Sequence, residues 1–120
     1  KIGHQFSASG VTICCVNNIQ IGNRVMLGAN VTIVDTDFHS LDSELRFSEC
    51  DLSHASSAPV VIEDDVFIGS NSQLVAPLTI SAGSTIGAGS TITKDTPANQ
   101  LSLARSKQTS IPSWERPKKK

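Results

Sequence analysis

From Ile62 to Thr96 the chain repeats every six residues. Ile62, Ile68, Leu74, Ile80, Ile86 and Ile92 form an unbroken aliphatic series, and Val66, Ser72, Leu78, Ser84, Ser90 and Thr96 each follow by four. A helix would set apolar residues three and four apart and a flat strand would alternate at two, so neither accounts for a step of six. The step predicts a parallel β-helix, in which each short strand makes one wall of a coil. A sandwich of short strands is the alternative. The residue after the aliphatic one is often small, as at Gly69, Ser81 and Gly87, which suits a turn at each corner.

Counting back in sixes from Ile33 gives Leu27, Ile21, Cys15, Ser9 and Gly3, with Val31, Val25, Ile19, Ile13 and Ser7 as companions. The repeat decays at Ser7–Gly10, where a first coil would be frayed or covered by another chain, and the register is expected to hold from Ile13 onward. Gly22, Gly28 and Asn30 fall where corners need relaxed backbone angles. Between Ile33 and Ile62 lie 62 − 33 = 29 positions, not a multiple of six, so part of 35–59 must leave the coil and return. That loop holds Asp35, Asp37, His39, Asp42, Glu44, Arg46, Glu49, Asp51 and His54. A long charged loop on a rigid scaffold is a candidate functional site. After Asp95 the pattern stops at Thr96-Pro97-Ala98-Asn99, so a C-terminal arm is expected over about 97–120. Its Leu101 and Leu103 look like a closing strand, and its apolar Ile111 and Trp114 are expected to pack on a neighbouring surface.

Composition narrows the picture. The 120 residues suffice for one domain, and with 4% aromatics and no Tyr the interior must be filled by Ile, Val, Leu and Ala, which suits a narrow coil. A net charge of −1 provides no field for nucleic acid, and the basic run Arg116–Lys120 reads as a solvated tail. Three cysteines, two of them adjacent at Cys14 and Cys15, form no paired framework and no metal spacing, so a reducing compartment is expected. With no long apolar run and no signal-type segment, the chain reads as soluble and cytoplasmic, without membrane partners. It begins with Lys beside an Ile-Gly pair of repeat type, which points to residues upstream.

The repeats Ile62-Glu63-Asp64-Asp65-Val66-Phe67-Ile68-Gly69-Ser70 and Ile86-Gly87-Ala88-Gly89-Ser90 resemble those of the hexapeptide acyltransferases. The resemblance implies a left-handed parallel β-helix, a homotrimer and acetyl-CoA as acyl donor. Handedness comes from the resemblance alone, since parallel crossovers are usually right-handed. The first half, through Asp37-Phe38-His39-Ser40-Leu41-Asp42, is similar to the maltose, galactoside and xenobiotic O-acetyltransferase branch. The second half, with Gln73-Leu74-Val75-Ala76-Pro77 and a tail carrying Arg105, Gln108, Trp114, Arg116 and Pro117, resembles the acetyltransferase part of the bifunctional enzyme that makes UDP-N-acetylglucosamine. Its Asn-Tyr-Asp-Gly stretch and its nucleotidyltransferase domain have no counterpart here. The Gly-Asn-Pro-Ala type ending of the sugar O-acetyltransferases is replaced by Leu103-Ala104-Arg105-Ser106.

Acetyl transfer to a hydroxyl or amine needs a base and a place for the CoA arm. The resemblance implies His39 as the base; a carboxylate, Asp35 or Asp37, or a backbone carbonyl would fix its tautomer. It also implies Ser70, Ala88 and Arg105 as CoA-binding residues, the small side chains lying along pantetheine and the guanidinium meeting a phosphate. Lys94 and Lys107 are further phosphate candidates. His4 and His54 match no motif, so the three-histidine zinc site of the related carbonic anhydrases is not expected, and no metal is invoked. Cys50 has no histidine paired to it by motif. The expected function is acetyl-CoA-dependent transfer to a saccharide or small-molecule acceptor. The alternatives are a catalytically silent trimeric β-helix that binds a partner, and an amino sugar phosphate N-acetyltransferase.

Overall fold

The computed structural model describes residues 1–118. Before the loop the chain forms β1 (Ser7–Ala8), β2 (Thr12–Cys14), β3 (Ile19–Ile21), β4 (Met26–Leu27) and β5 (Thr32–Val34). The loop contains α1 (Ser43–Arg46) and a 3₁₀ turn at Leu52–His54. After it come β6 (Val60–Ile62), β7 (Phe67–Ile68), β8 (Gln73–Val75), β9 (Leu78–Ile80), β10 (Thr85–Ile86), β11 (Thr91–Ile92) and β12 (Leu101–Ser102). The strands stack into three walls, in the orders β1-β4-β7-β10-β12, β11-β8-β5-β2 and β3-β6-β9. The chain visits the walls in turn and every pairing between these strands is parallel. One full coil takes 80 − 62 = 18 residues, since Ile62 lies beside Ile80.

The six-residue period is the distance from one wall to the next, so the aliphatic series points into the coil from all three sides. Ile21, Leu27, Ile33, Ile62, Ile68, Leu74, Ile80, Ile86 and Ile92 are all buried. Each such side chain contributes roughly 1.5–3 kcal/mol of transfer free energy. The companion series fills the corners with Val25, Val31, Val66 and Leu78, and with the hydroxyls of Ser72, Ser84, Ser90 and Thr96. A buried hydroxyl needs a partner. Ser72 Oγ donates to the Gly69 carbonyl at 2.8 Å, and the Pro97 carbonyl lies 2.9 Å from Ser84 Oγ.

Two means of turning the corners are separated along each coil. Left-handed backbone recurs at Arg24, Asn30, Asp65, Asn71, Gly83, Gly89 and Asn99. Gly22 and Gly28, expected to supply such angles, do not adopt them. They are required by close approach instead: a Cβ on Gly28 would lie 2.6 Å from the Ser70 amide nitrogen. At Asn30, with φ 58°, the expectation holds.

The backward count in sixes fails before Ile19. Ile13, not Cys15, pairs with Ile33, 33 − 13 = 20 residues on. Ile2 lies beside Ile21 and Ala8 beside Leu27, each 19 residues apart (21 − 2, 27 − 8). The first coil therefore carries extra residues at Cys14–Asn18. Its strand β1 is paired rather than frayed. At the other end Thr96 is bridged to Ile80, and β12 pairs with β10, so the coil runs on to Ser102 before the extended segment begins. Among the described residues, no helix is long and apolar enough to cross a membrane.

Candidate active site

The loop leaves the coil after β5 and returns at β6. Its neck is tied by an antiparallel bridge between Thr36 and Ser57, by the Asp37 amide donating to Ser56 O at 2.9 Å, and by the Ala58 amide donating to Asp35 O at 2.9 Å. Asp42 starts α1 as an N-cap, its carboxylate accepting from the amides of Glu44 and Leu45. Ser40 is the buried hub. Its amide donates to Asp51 Oδ1 at 2.7 Å, its carbonyl accepts from Arg46 Nε at 2.9 Å, and its hydroxyl oxygen accepts the Asp42 amide at 3.1 Å.

His39 precedes that hub and follows Phe38, whose φ of 64° is uncommon for an aromatic residue. The ring is exposed, and its Nδ1 lies 2.5 Å from Asp51 Oδ2. The His39 contact, the Ser40 amide and the nearby Arg46 charge hold the Asp51 carboxyl below the ordinary carboxylate range.

Neither expected carboxylate is the one on this ring. Asp35 is buried and faces the long corner of the first coil, accepting the Val16 amide at 2.7 Å and the Asn17 amide at 2.8 Å. Burial raises its pKa, but the hydrogen bonds from Val16, Asn17, Cys15 and Asn18 outweigh it, and the net shift is downward. Asp37 is exposed at the neck and lines a cavity of about 160 Å³ with Thr36, Ser56, Ser57, Ala76 and Pro77. Asp51 stands twelve positions after His39 (51 − 39) among many loop carboxylates, and nothing in the sequence singles it out.

Ser70, Ala88 and Arg105 are brought onto one corner, between the wall of β7 and β10 and the wall of β8 and β11. Gly69 turns beneath Ala88, the Gly89 amide donates to Ser70 O at 2.9 Å, and Arg105 Nη1 donates to Ala88 O at 2.7 Å. The column is exposed and its edge is small. Lys94 lies at a different corner, beside a shallow hollow that includes Leu103 and Ala104, and Lys107 is exposed in the arm. The His39 loop is rooted between β5 and β6, so the base candidate and the column rise from different corners of one copy.

Two cysteine and histidine combinations fall away as chemistry. His54 Nδ1 lies 2.9 Å from the Cys50 carbonyl rather than from its thiol. Among the described residues no three His, Cys, Asp or Glu side chains gather as a metal-holding group.

A parallel coil of hexapeptide repeats with one inserted histidine loop defines the class: residues 59–94 match the family model of the bacterial transferase hexapeptide (six repeats). The resemblance to hexapeptide acyltransferases holds, and the coil is the left-handed parallel β-helix it implied. Among sequence relatives, the bifunctional protein GlmU of Nitrosomonas europaea is 47% identical over 120 residues, covering 99% of this chain and 23% of its own length. That likeness runs through the loop as well as the second half. Among solved structures, a maltose O-acetyltransferase from Clostridium difficile superposes with a TM-score of 0.75 at 35% identity, covering 86% of this chain and 53% of the other. A hexapeptide-repeat acetyltransferase of Vibrio cholerae, complexed with acetyl coenzyme A, gives a TM-score of 0.58 at 26% identity, covering 83% of this chain and 63% of the other. This chain thus spans about a quarter of the length of the GlmU relative.

Proposed function

We propose that the protein is an acetyl-CoA-dependent acetyltransferase acting on a hydroxyl or amine of a saccharide or other small acceptor, in the cytoplasm. The observation that carries this reading is the column of Ser70, Ala88 and Arg105 on one corner, an exposed small-residue edge ending in a guanidinium. Its backbone can receive the pantetheine arm as a strand edge would, and Arg105 can exchange the Ala88 carbonyl for a phosphate. Lys94 and Lys107 are further cations for the same phosphates. His39 Nε2 takes the acceptor's proton as the acceptor's lone pair attacks the acetyl carbonyl. The C–S bond then breaks, and the departing CoA thiolate recovers the proton.

The assembly is a homotrimer. Met26, Phe67, Thr85 and Leu101 line up on the outside of the five-stranded wall, and Met26, Phe67 and Leu101 remain exposed. The loop adds Phe38, Leu41, Phe47 and Leu52, and the arm adds Ile111 and Trp114, all exposed. Two sets of uncovered apolar side chains on one chain favour head-to-tail packing that closes as a ring. Such packing brings the loop of one copy to a corner column of the next. A second reading of the acceptor, an amino sugar phosphate, is favoured by the likeness to GlmU through 120 residues.

Calorimetry with acetyl-CoA separates an enzyme from a silent scaffold, which has no use for the thioester. Binding is expected in the wild type. Arg105→Ala should weaken it by about 1.5–3 kcal/mol while sparing a CoA analogue that lacks the contacted phosphate. Absence of binding to the wild type contradicts the reading.

A further inference from the structure

We propose that Asp51 is the positioning residue of His39, and that the frame of Ser40 and Arg46 holds its carboxylate so that the ring carries its proton on Nδ1. The inference rests on the reading of His39 as the base and specifies how that base is prepared. Asp51 uses both oxygens: Oδ1 accepts the Ser40 amide at 2.7 Å and Oδ2 meets His39 Nδ1 at 2.5 Å. The first contact fixes the plane of the carboxylate and the second addresses the ring. Arg46, at the end of α1, donates from Nε to the Ser40 carbonyl at 2.9 Å and so ties the helix to the residue beside the base. The Asp51 side chain is 15% exposed while the His39 ring is 63% exposed, so the orienting group is sheltered and the ring projects from it.

The chemical consequence follows from the inventory of donors. A carboxylate only accepts, so a neutral ring facing it must place its N–H on Nδ1 and leave the lone pair on Nε2. That is the tautomer a base needs if its outward nitrogen is to take a proton. An asparagine at position 51 would reverse it with little change in shape. Its oxygen can keep the Ser40 amide, which turns the NH2 toward the ring. The ring must then accept at Nδ1 and carry its hydrogen on Nε2, where it cannot act as a base.

The test is Asp51→Asn in the full chain, alongside His39→Ala. Turnover at saturating acetyl-CoA should fall by about 100-fold or more in Asp51→Asn. The KM for acetyl-CoA, the assembly and the melting temperature should stay close to wild type. Nitrogen-15 spectra of the imidazoles at a pH where the ring is neutral should show the His39 proton on Nδ1 in the wild type and on Nε2 in the variant. Ordinary turnover in Asp51→Asn with a crippled His39→Ala overturns the role of Asp51 and leaves the base in place. An unchanged tautomer also overturns it. Turnover that survives in His39→Ala overturns the base itself, and this inference with it.

Discussion

The Asp35 carboxylate has none of its surface in contact with solvent and receives the amides of Val16 and Asn17. Removing it in Asp35→Ala leaves those donors without partners, at about 1–3 kcal/mol for each buried amide. Urea denaturation should register the loss as a lower midpoint. Its folded pKa is depressed, so its stabilisation is present above the unfolded value of roughly 3.9 and disappears as pH falls through the lower folded value. Wild type and Asp35→Asn should therefore differ at pH 7 and converge toward pH 2; a gap that does not change with pH would contradict the assignment. The same residue shows where the sequence stops being informative. His39 was legible because its loop motif is local. Its partner was not, because Asp35, Asp37 and Asp51 are all carboxylates in one loop. Which of them meets the ring depends on how the segment around Ser40 and Arg46 folds back.

Along the coil, glycines of two kinds should respond differently to the same methyl group. A Cβ on Gly69 would lie 2.7 Å from Ala88 Cα, inside the stacked corner, whereas Gly89 has φ 73° and open space around it. Gly89→Ala should cost about 1 kcal/mol of backbone strain. Gly69→Ala should cost more, toward the upper end of the roughly 1–3 kcal/mol typical of overpacking. Melting curves of the two variants check the order. Elements were legible wherever each wall-to-wall step was six, because a single period sets both the strand and its inward residue. They were lost in the first coil, where the long corner at Cys14–Asn18 shifts the count and puts Ile13 in the place assigned to Cys15. Periodicity cannot reveal an insertion that lies between two strands, since both strands keep their own pattern.

At the scale of the whole molecule, the claim is that copies of this coil pack so that the loop of one serves the CoA corner of another. Phe67 lies near the middle of the outward apolar column, beside Met26 and Thr85. Phe67→Asp should leave the coil folded and weaken the trimer by about 2 kcal/mol or more, the loss of a central interface aromatic. Light scattering at micromolar concentration reads this directly, and a wild type that is monomeric there would remove the shared site. The most direct measurement of the central claim is turnover of His39→Ala with acetyl-CoA and any acceptor that the wild type uses, with acetyl-CoA binding measured on the same preparation. Turnover should fall by about 100-fold or more while acetyl-CoA affinity and the trimer persist, because the ring acts only in the chemical step. A variant with ordinary turnover would contradict the account.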